Sequence, residues 1–293
     1  MSLNKPIWKL RDWIDKDKLD WNSLSYNPKA IQLLEANPNK INWSNLSRNK
    51  NAIELLKANL DKINWSKLSR NKNAIKLLEK QREKIDWNNL ILNPNAIKLL
   101  EKNQEKINWG SLSLNKNAID LLKANQKNIN WCNLSRNKNA IKLLEKQREN
   151  INWYFLSRNK NAIKILEQNW NRINWYILSF NENAIHLLKD REKINWSFLS
   201  KNENAIELLE ANLDKINWNY LSMNKNAIHL LENNTHKIDW FSLSLNPSIF
   251  ELDYEKMKEN NQEIYEDLIK EVMKPSRVFK NPDYDYLEEL FGD

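Results

Sequence analysis

Residues 41–62 read INWSNLSRNKNAIELLKANLDK, and the chain repeats this unit almost from end to end. Its tryptophan marks the register. Trp21, Trp43, Trp65, Trp87, Trp109, Trp131, Trp153, Trp175, Trp196, Trp218 and Trp240 lie 22 residues apart, with one step of 21 between Trp175 and Trp196. Self-similarity at such a period signals a stack of small units, none of which can bury its apolar face alone. An invariant aromatic column on the inward stripe behaves as core, so the Trp43-to-Trp218 series is expected to be structural rather than a stacking platform for a ligand.

Within the unit, Asn42 precedes Trp43, and the equivalent residue is Asn or Asp in every copy. Such residues favour the N-cap, where the side-chain oxygen accepts from an unpaired amide of the first turn. Ile41 and Leu46 then have the spacing of a hydrophobic staple. Trp43 therefore opens a short helix A, with Trp43 and Leu46 facing inward. A second invariant column, Asn49 in this unit, is followed by Pro at Pro28, Pro94 and Pro247. Proline suits the first helical position, so Asn49 is expected to cap a helix B. Ala52, Ile53, Leu55 and Leu56 supply its apolar stripe. Asn-rich stretches such as Ala58–Asp61 close the unit. The one-residue deletion falls at Lys189–Glu192, in a turn that should leave both helices intact.

The expected fold is an all-α solenoid of about eleven helix-turn-helix repeats over residues 20–250, capped at both ends. Residues 1–19 form the N-terminal cap, residues 251–280 a helical C-terminal cap, and residues 281–293 an acidic, aromatic tail.

Composition narrows the function. No apolar run is long enough to span a bilayer. The first stretch, MSLNKPIWKLRDWIDKDK, carries scattered charges and no apolar core, so no secretory signal is expected. Cys132 is the single cysteine, which fits a reducing compartment. No nucleophile elbow or phosphate-binding motif is present, and two glycines cannot build a phosphate-cradling loop. His186 and His229 share a column two repeats apart, too far to hold one metal. We therefore expect no enzyme, no catalytic residue, no metal and no cofactor.

Two columns vary while the core columns do not. The residue between the Ser and Asn columns runs Tyr26, Arg48, Arg70, Leu92, Leu114, Arg136, Arg158, Phe180, Lys201, Met223, Leu245. The two residues after each Trp are small and polar in early repeats. They become aromatic later, at Tyr154, Phe155, Tyr176, Phe198, Tyr220 and Phe241. Aromatic residues and Arg are enriched in interface cores. The leading expectation is an interaction scaffold that binds a protein through Tyr154, Phe155, Tyr176, Phe180, Phe198, Tyr220 and Phe241. Charge supplies an alternative. Residues 41–172 carry a net +15, residues 173–250 a net −2 and residues 251–293 a net −7, within a total of +8. Such a stretch attracts nucleic acid, with Arg48, Arg70, Arg136 and Arg158 meeting phosphates.

The units also resemble the tandem repeats of large DNA virus proteins of the mimivirus and chlorovirus kind. The pattern N-P-x-A-I-x-L-L-E-x-N-x-x-K-I-N-W carries the likeness. So do the opening DWIDKDKLDWNSLSYNPKAIQLLEANPNKINW at 13–43 and the ending NPSIFELDYEKMKENNQEIYEDLIKEVMKPSRV at 246–278. Lys or Glu often replaces the Pro after the Asn, and Ile91 replaces one Ser. The resemblance implies a viral protein of this repeat architecture, expected in the host cytoplasm, its viral factories or the virion; with no secretory signal, it is not expected to be secreted. The repeat array and its charge lead us to expect a monomer or weak homo-oligomer whose partner is viral or host protein, or nucleic acid, and no membrane. The resemblance carries no established activity.

Overall fold

The computed structural model of the chain describes residues 6–188 and 191–274. It divides into two compact units, Leu10–Phe250 and a second made of Met1–Lys9 with Glu251–Asp293. The acidic tail at 281–293 lies outside the described residues.

The larger unit is an all-α repeat array. A typical repeat holds helix A, helix B and a single 3-10 turn; in the second repeat these are Trp43–Leu46, Ile53–Lys57 and Leu60–Lys62. Helix A starts where the sequence places it: the Asn42 carboxamide accepts the Asn45 amide at 3.0 Å, and Asp20, Asn64, Asp86 and Asn130 cap their own helices in the same way. Helices this short do not persist alone; burial holds them. The columns of Leu46 on helix A and of Ala52 and Leu56 at helix B are fully buried, as are their equivalents around the unit. Each such leucine contributes about 1.5–3 kcal/mol.

Three expectations need correction. Asn49 does not cap helix B, whose N-cap position is Ala52 with no side-chain bond. Its Oδ1 accepts from the Asn51 amide two residues on, and its Nδ2 reaches back to the preceding repeat, donating to the Ser25 and Asn27 carbonyls at 3.1 and 2.8 Å. The column is a buried inter-repeat ladder. The tryptophans, second, are half-buried rather than enclosed. In eight of the eleven repeats a Lys or Arg lies over the indole, as Lys62 does over Trp43 at 4.7 Å. One face packs and the other meets a cation. Third, the short repeat does not keep both helices: its helix B is reduced to the 3-10 turn Ile185–Leu187.

The largest departure concerns the ends. The first repeat packs against the last, helix on helix, as closely as any internal pair. Asn27 Nδ2 donates to the Ser244 and Asn246 carbonyls, both at 3.1 Å, and the Asp20 amide donates to Ser244 Oγ at 2.8 Å. Lys18 covers Trp240 as other cations cover theirs. These are the internal bonds repeated across the seam, so the Leu10–Phe250 unit is a closed ring without free ends to cap. The close approaches between repeats are between A helices, while B helices fan apart. The denser layer of a closed ring is the inner one, so A helices line the inside and B helices the outside. Eleven helices spaced ~8–10 Å apart, each ~10–12 Å thick with side chains, enclose an axial opening about 20 Å across.

Two short strands, β1 (Trp8–Leu10) and β2 (Phe250–Leu252), pair in a two-stranded sheet. In the smaller unit the Asp253 amide donates to the Ile7 carbonyl, and a 19-residue helix, Tyr254–Val272, follows with Leu268, Ile269 and Val272 exposed.

Candidate functional site: a basic rim and an aromatic arc

The A–B connections of successive repeats lie side by side and form one face of the ring, its rim. Two columns come to the surface there. One is the residue before the buried Asn: Tyr26, Arg48, Arg70, Arg136, Arg158 and Phe180 belong to it. The other is the residue after that Asn, where Lys50, Lys72, Lys116, Lys138, Lys160 and Lys225 stand. Together the two columns hold eleven cations and two carboxylates, a net of +9 against +8 for the whole chain. Residues 1–250 net +15, so these two columns alone carry nine of those fifteen charges. Sequence reasoning assigns the excess to a stretch of chain instead, because the lysine column reads there as the first turn of helix B.

All four predicted arginines lie on this rim and are exposed. Three are laid over aromatic rings of neighbouring repeats: Arg48 over Tyr26 at 5.6 Å, Arg136 over Phe155 at 5.2 Å and Arg158 over Phe180 at 4.4 Å. Stacking of this kind holds the guanidinium flat and leaves its N–H edge for an anion. The rim is interrupted at Glu182 and Glu203, which pair with Lys160 and Lys225 at 2.8 and 2.6 Å. The Glu182 hydrogen bond and charge raise the Lys160 pKa above the ordinary lysine value.

Two grooves indent the rim. The first, of about 380 Å³, crosses repeats one to four under Tyr26, Arg48 and Arg70. The second, of about 240 Å³, uses the same columns at repeats seven to nine, between Arg158, Phe180 and Lys201, and contains both carboxylates.

The predicted aromatic columns separate into two groups. Phe155, Phe180 and Phe198 are half-buried. Phe180 and Phe198 stack at 4.1 Å, and Tyr176 meets Phe198 edge-on at 5.0 Å. These rings thicken the contact between repeats. Tyr154, Tyr176, Tyr220 and Phe241 are exposed on the inner, A-helix layer, Phe241 by 60 %. They form an arc over the later repeats, opposite a polar arc where Asn45 and Asn133 bond to the backbone carbonyls of the preceding repeat. Trp170 is also exposed, against Trp175 at 5.4 Å.

His186 and His229 each face a glutamate of the preceding repeat, Glu167 at 3.1 Å and Glu210 at 2.7 Å. Cys132 is exposed beside Asn152. Among the described residues no three His, Cys, Asp or Glu side chains gather closely enough to hold a metal ion, and no helix is long and apolar enough to cross a membrane. Comparison with known proteins finds no matching family model, no similar curated protein and no similar solved structure.

Proposed function

We propose that the chain is a non-enzymatic binding ring that carries single-stranded nucleic acid on its basic rim. The observation that supports this is the concentration of charge: two neighbouring columns hold more positive charge than the whole molecule nets. Single-strand binders combine a cationic track for the backbone with aromatic faces for the bases, and this rim carries exposed Arg and Lys interleaved with Tyr26 and Phe180. Contacts to a repeating backbone need no sequence readout, so a repeating rim is suited to weakly selective binding. If the chain comes from a large DNA virus, the host cytoplasm, its viral factories or the virion would be the place where it meets such a strand.

Fluorescence anisotropy with a labelled oligothymidylate tests the reading. Affinity should fall steeply with salt. Replacing Arg48, Arg70, Arg136 and Arg158 together by Ala should flatten the log–log salt slope by roughly 3, at about 0.7 for each phosphate no longer neutralised. An unchanged slope in a folded variant removes the rim as the binding face.

A protein partner is the second reading, favoured by the exposed Tyr154, Tyr176, Tyr220 and Phe241. Affinity purification comparing wild type with these four changed to Ser tests it; an unchanged set of partners for a folded variant rejects it.

A further inference from the structure

We infer that the groove across the first four repeats holds one nucleotide of a bound single strand, with the base against Tyr26 and the flanking phosphates against Arg48, Lys50, Arg70 and Lys72. The inference rests on the reading of the rim as a nucleic-acid face and goes further, by naming one place on that rim as a built subsite.

The groove has the right size and composition. Its volume of about 380 Å³ lies in the range of small-ligand sites, roughly 300–1,000 Å³. Pro28 and Pro94 line it at two ends of the run, and their rings supply apolar surface where six other repeats hold lysine. Tyr26 remains 43 % exposed. The Arg48 guanidinium stands 5.6 Å from its centroid, compared with 4.4 Å for Arg158 on Phe180, so the ring is only loosely covered. Four cations flank it, and no carboxylate stands among the residues that line the groove. An aromatic face with apolar walls suits a base, and a fence of cations suits a phosphodiester; an acidic peptide would use the cations and leave the tyrosine idle.

The ring contains its own comparison. The second groove is built from the same columns, yet Glu182 and Glu203 stand in the column that gives the first groove Lys50 and Lys72. Those carboxylates bind Lys160 and Lys225. Phe180, the counterpart of Tyr26, lies between Arg158 and Phe198. The second groove therefore keeps a net charge of only +1 among its lining residues, against +4 in the first, and its ring is covered. Strand capture should favour the first.

Photocrosslinking of the full chain to oligothymidylate carrying 5-iodouracil tests this, alongside anisotropy. The crosslink should map to Tyr26. Tyr26→Ala should weaken binding about tenfold, the loss of one base stack, while Tyr26→Phe should bind as wild type and so separate stacking from folding. Glu182→Lys with Glu203→Lys should add crosslinks in the second groove. If the oligonucleotide binds but Tyr26 is not crosslinked and Tyr26→Ala binds as wild type, the groove is not the site and the wider rim reading stands. If no oligonucleotide binds at low salt, both are overturned. If thymidine monophosphate competes as well as the oligonucleotide at equal concentration, the occupant is a free nucleotide and the single-strand assignment is wrong.

Discussion

Asn137 shows why one residue type fills the buried column. Its Nδ2 donates to the Ser113 carbonyl at 3.0 Å and the Asn115 carbonyl at 2.9 Å, and its Oδ1 accepts the Asn139 amide at 3.1 Å. The position needs two donors and one acceptor on a short stem. Ser has one donor, Asp has none when ionised, and Gln is a methylene too long. Asn137→Ala removes the buried donor to the Ser113 carbonyl, leaves the Asn115 carbonyl with the Ala118 amide alone and frees the Asn139 amide, and should destabilise the protein by about 2–4 kcal/mol in urea unfolding. Asn137→Asp should cost more at neutral pH, since it sets a carboxylate against two carbonyl dipoles. Such a group has its folded pKa raised above the unfolded value. Its penalty is therefore full at neutral pH and shrinks as pH falls through the raised value. An Asp variant as stable as wild type at pH 7 would refute the ladder.

At the scale of the element, what could be read from sequence were the local rules. The Asn and Asp caps, the helix A leucine and the helix B stripe all sit where expected, because each is decided within five or six residues. The misreadings share a cause: the residue satisfies a neighbouring repeat. An Asn followed by Pro signals an N-cap and an Asx turn alike, and only the stacked neighbour shows where its amide donates. An invariant Trp marks an invariant contact, and here that contact is a half-buried face under a cation. The short repeat follows the same logic. Asn202 still donates to the Ser179 and Asn181 carbonyls, and the Asn195 amide still meets Ser179 Oγ. With both inter-repeat ladders kept, the deletion is absorbed by helix B. Ile91 is the one break in the serine column, whose hydroxyl elsewhere accepts the next cap's amide, as Ser135 Oγ does from Asn152 at 3.0 Å. Ser135→Ala should cost about 1 kcal/mol. Restoring the hydroxyl by Ile91→Ser should nevertheless destabilise, by about 1–3 kcal/mol net. One recovered hydrogen bond is worth about 1 kcal/mol, while emptying a fully buried isoleucine site costs about 2–4 kcal/mol. Urea unfolding of both variants gives the comparison, and a stabilised Ile91→Ser would show the packing at that site to be loose.

At the scale of the molecule, closure and the basic rim were both hidden in the sequence for one reason. Curvature comes from a small difference in spacing between the A and B layers, summed over eleven steps, and no single residue encodes it. The rim columns are visible one by one, but that they form a continuous face depends on which way every A–B connection points. Closure makes a prediction that an open stack cannot share. In an open array Asn27 belongs to the terminal repeat, its amide has no preceding carbonyls to meet, and Asn27→Ala should be nearly neutral, within about 0.5 kcal/mol, as for an ordinary surface change. In the ring, Asn27 is fully buried and donates to the Ser244 and Asn246 carbonyls, as Asn137 does to its own pair. Asn27→Ala should then cost as much as Asn137→Ala, about 2–4 kcal/mol. It should also weaken amide-exchange protection on both sides of the seam, in the helix at Trp21–Tyr26 and in the one at Trp240–Leu245. In a repeat array, stability is carried by interfaces between neighbours, so a ring has as many interfaces as repeats and an open stack one fewer. A neutral Asn27→Ala, with exchange at Trp240–Leu245 unchanged, would mean that the array is open in solution.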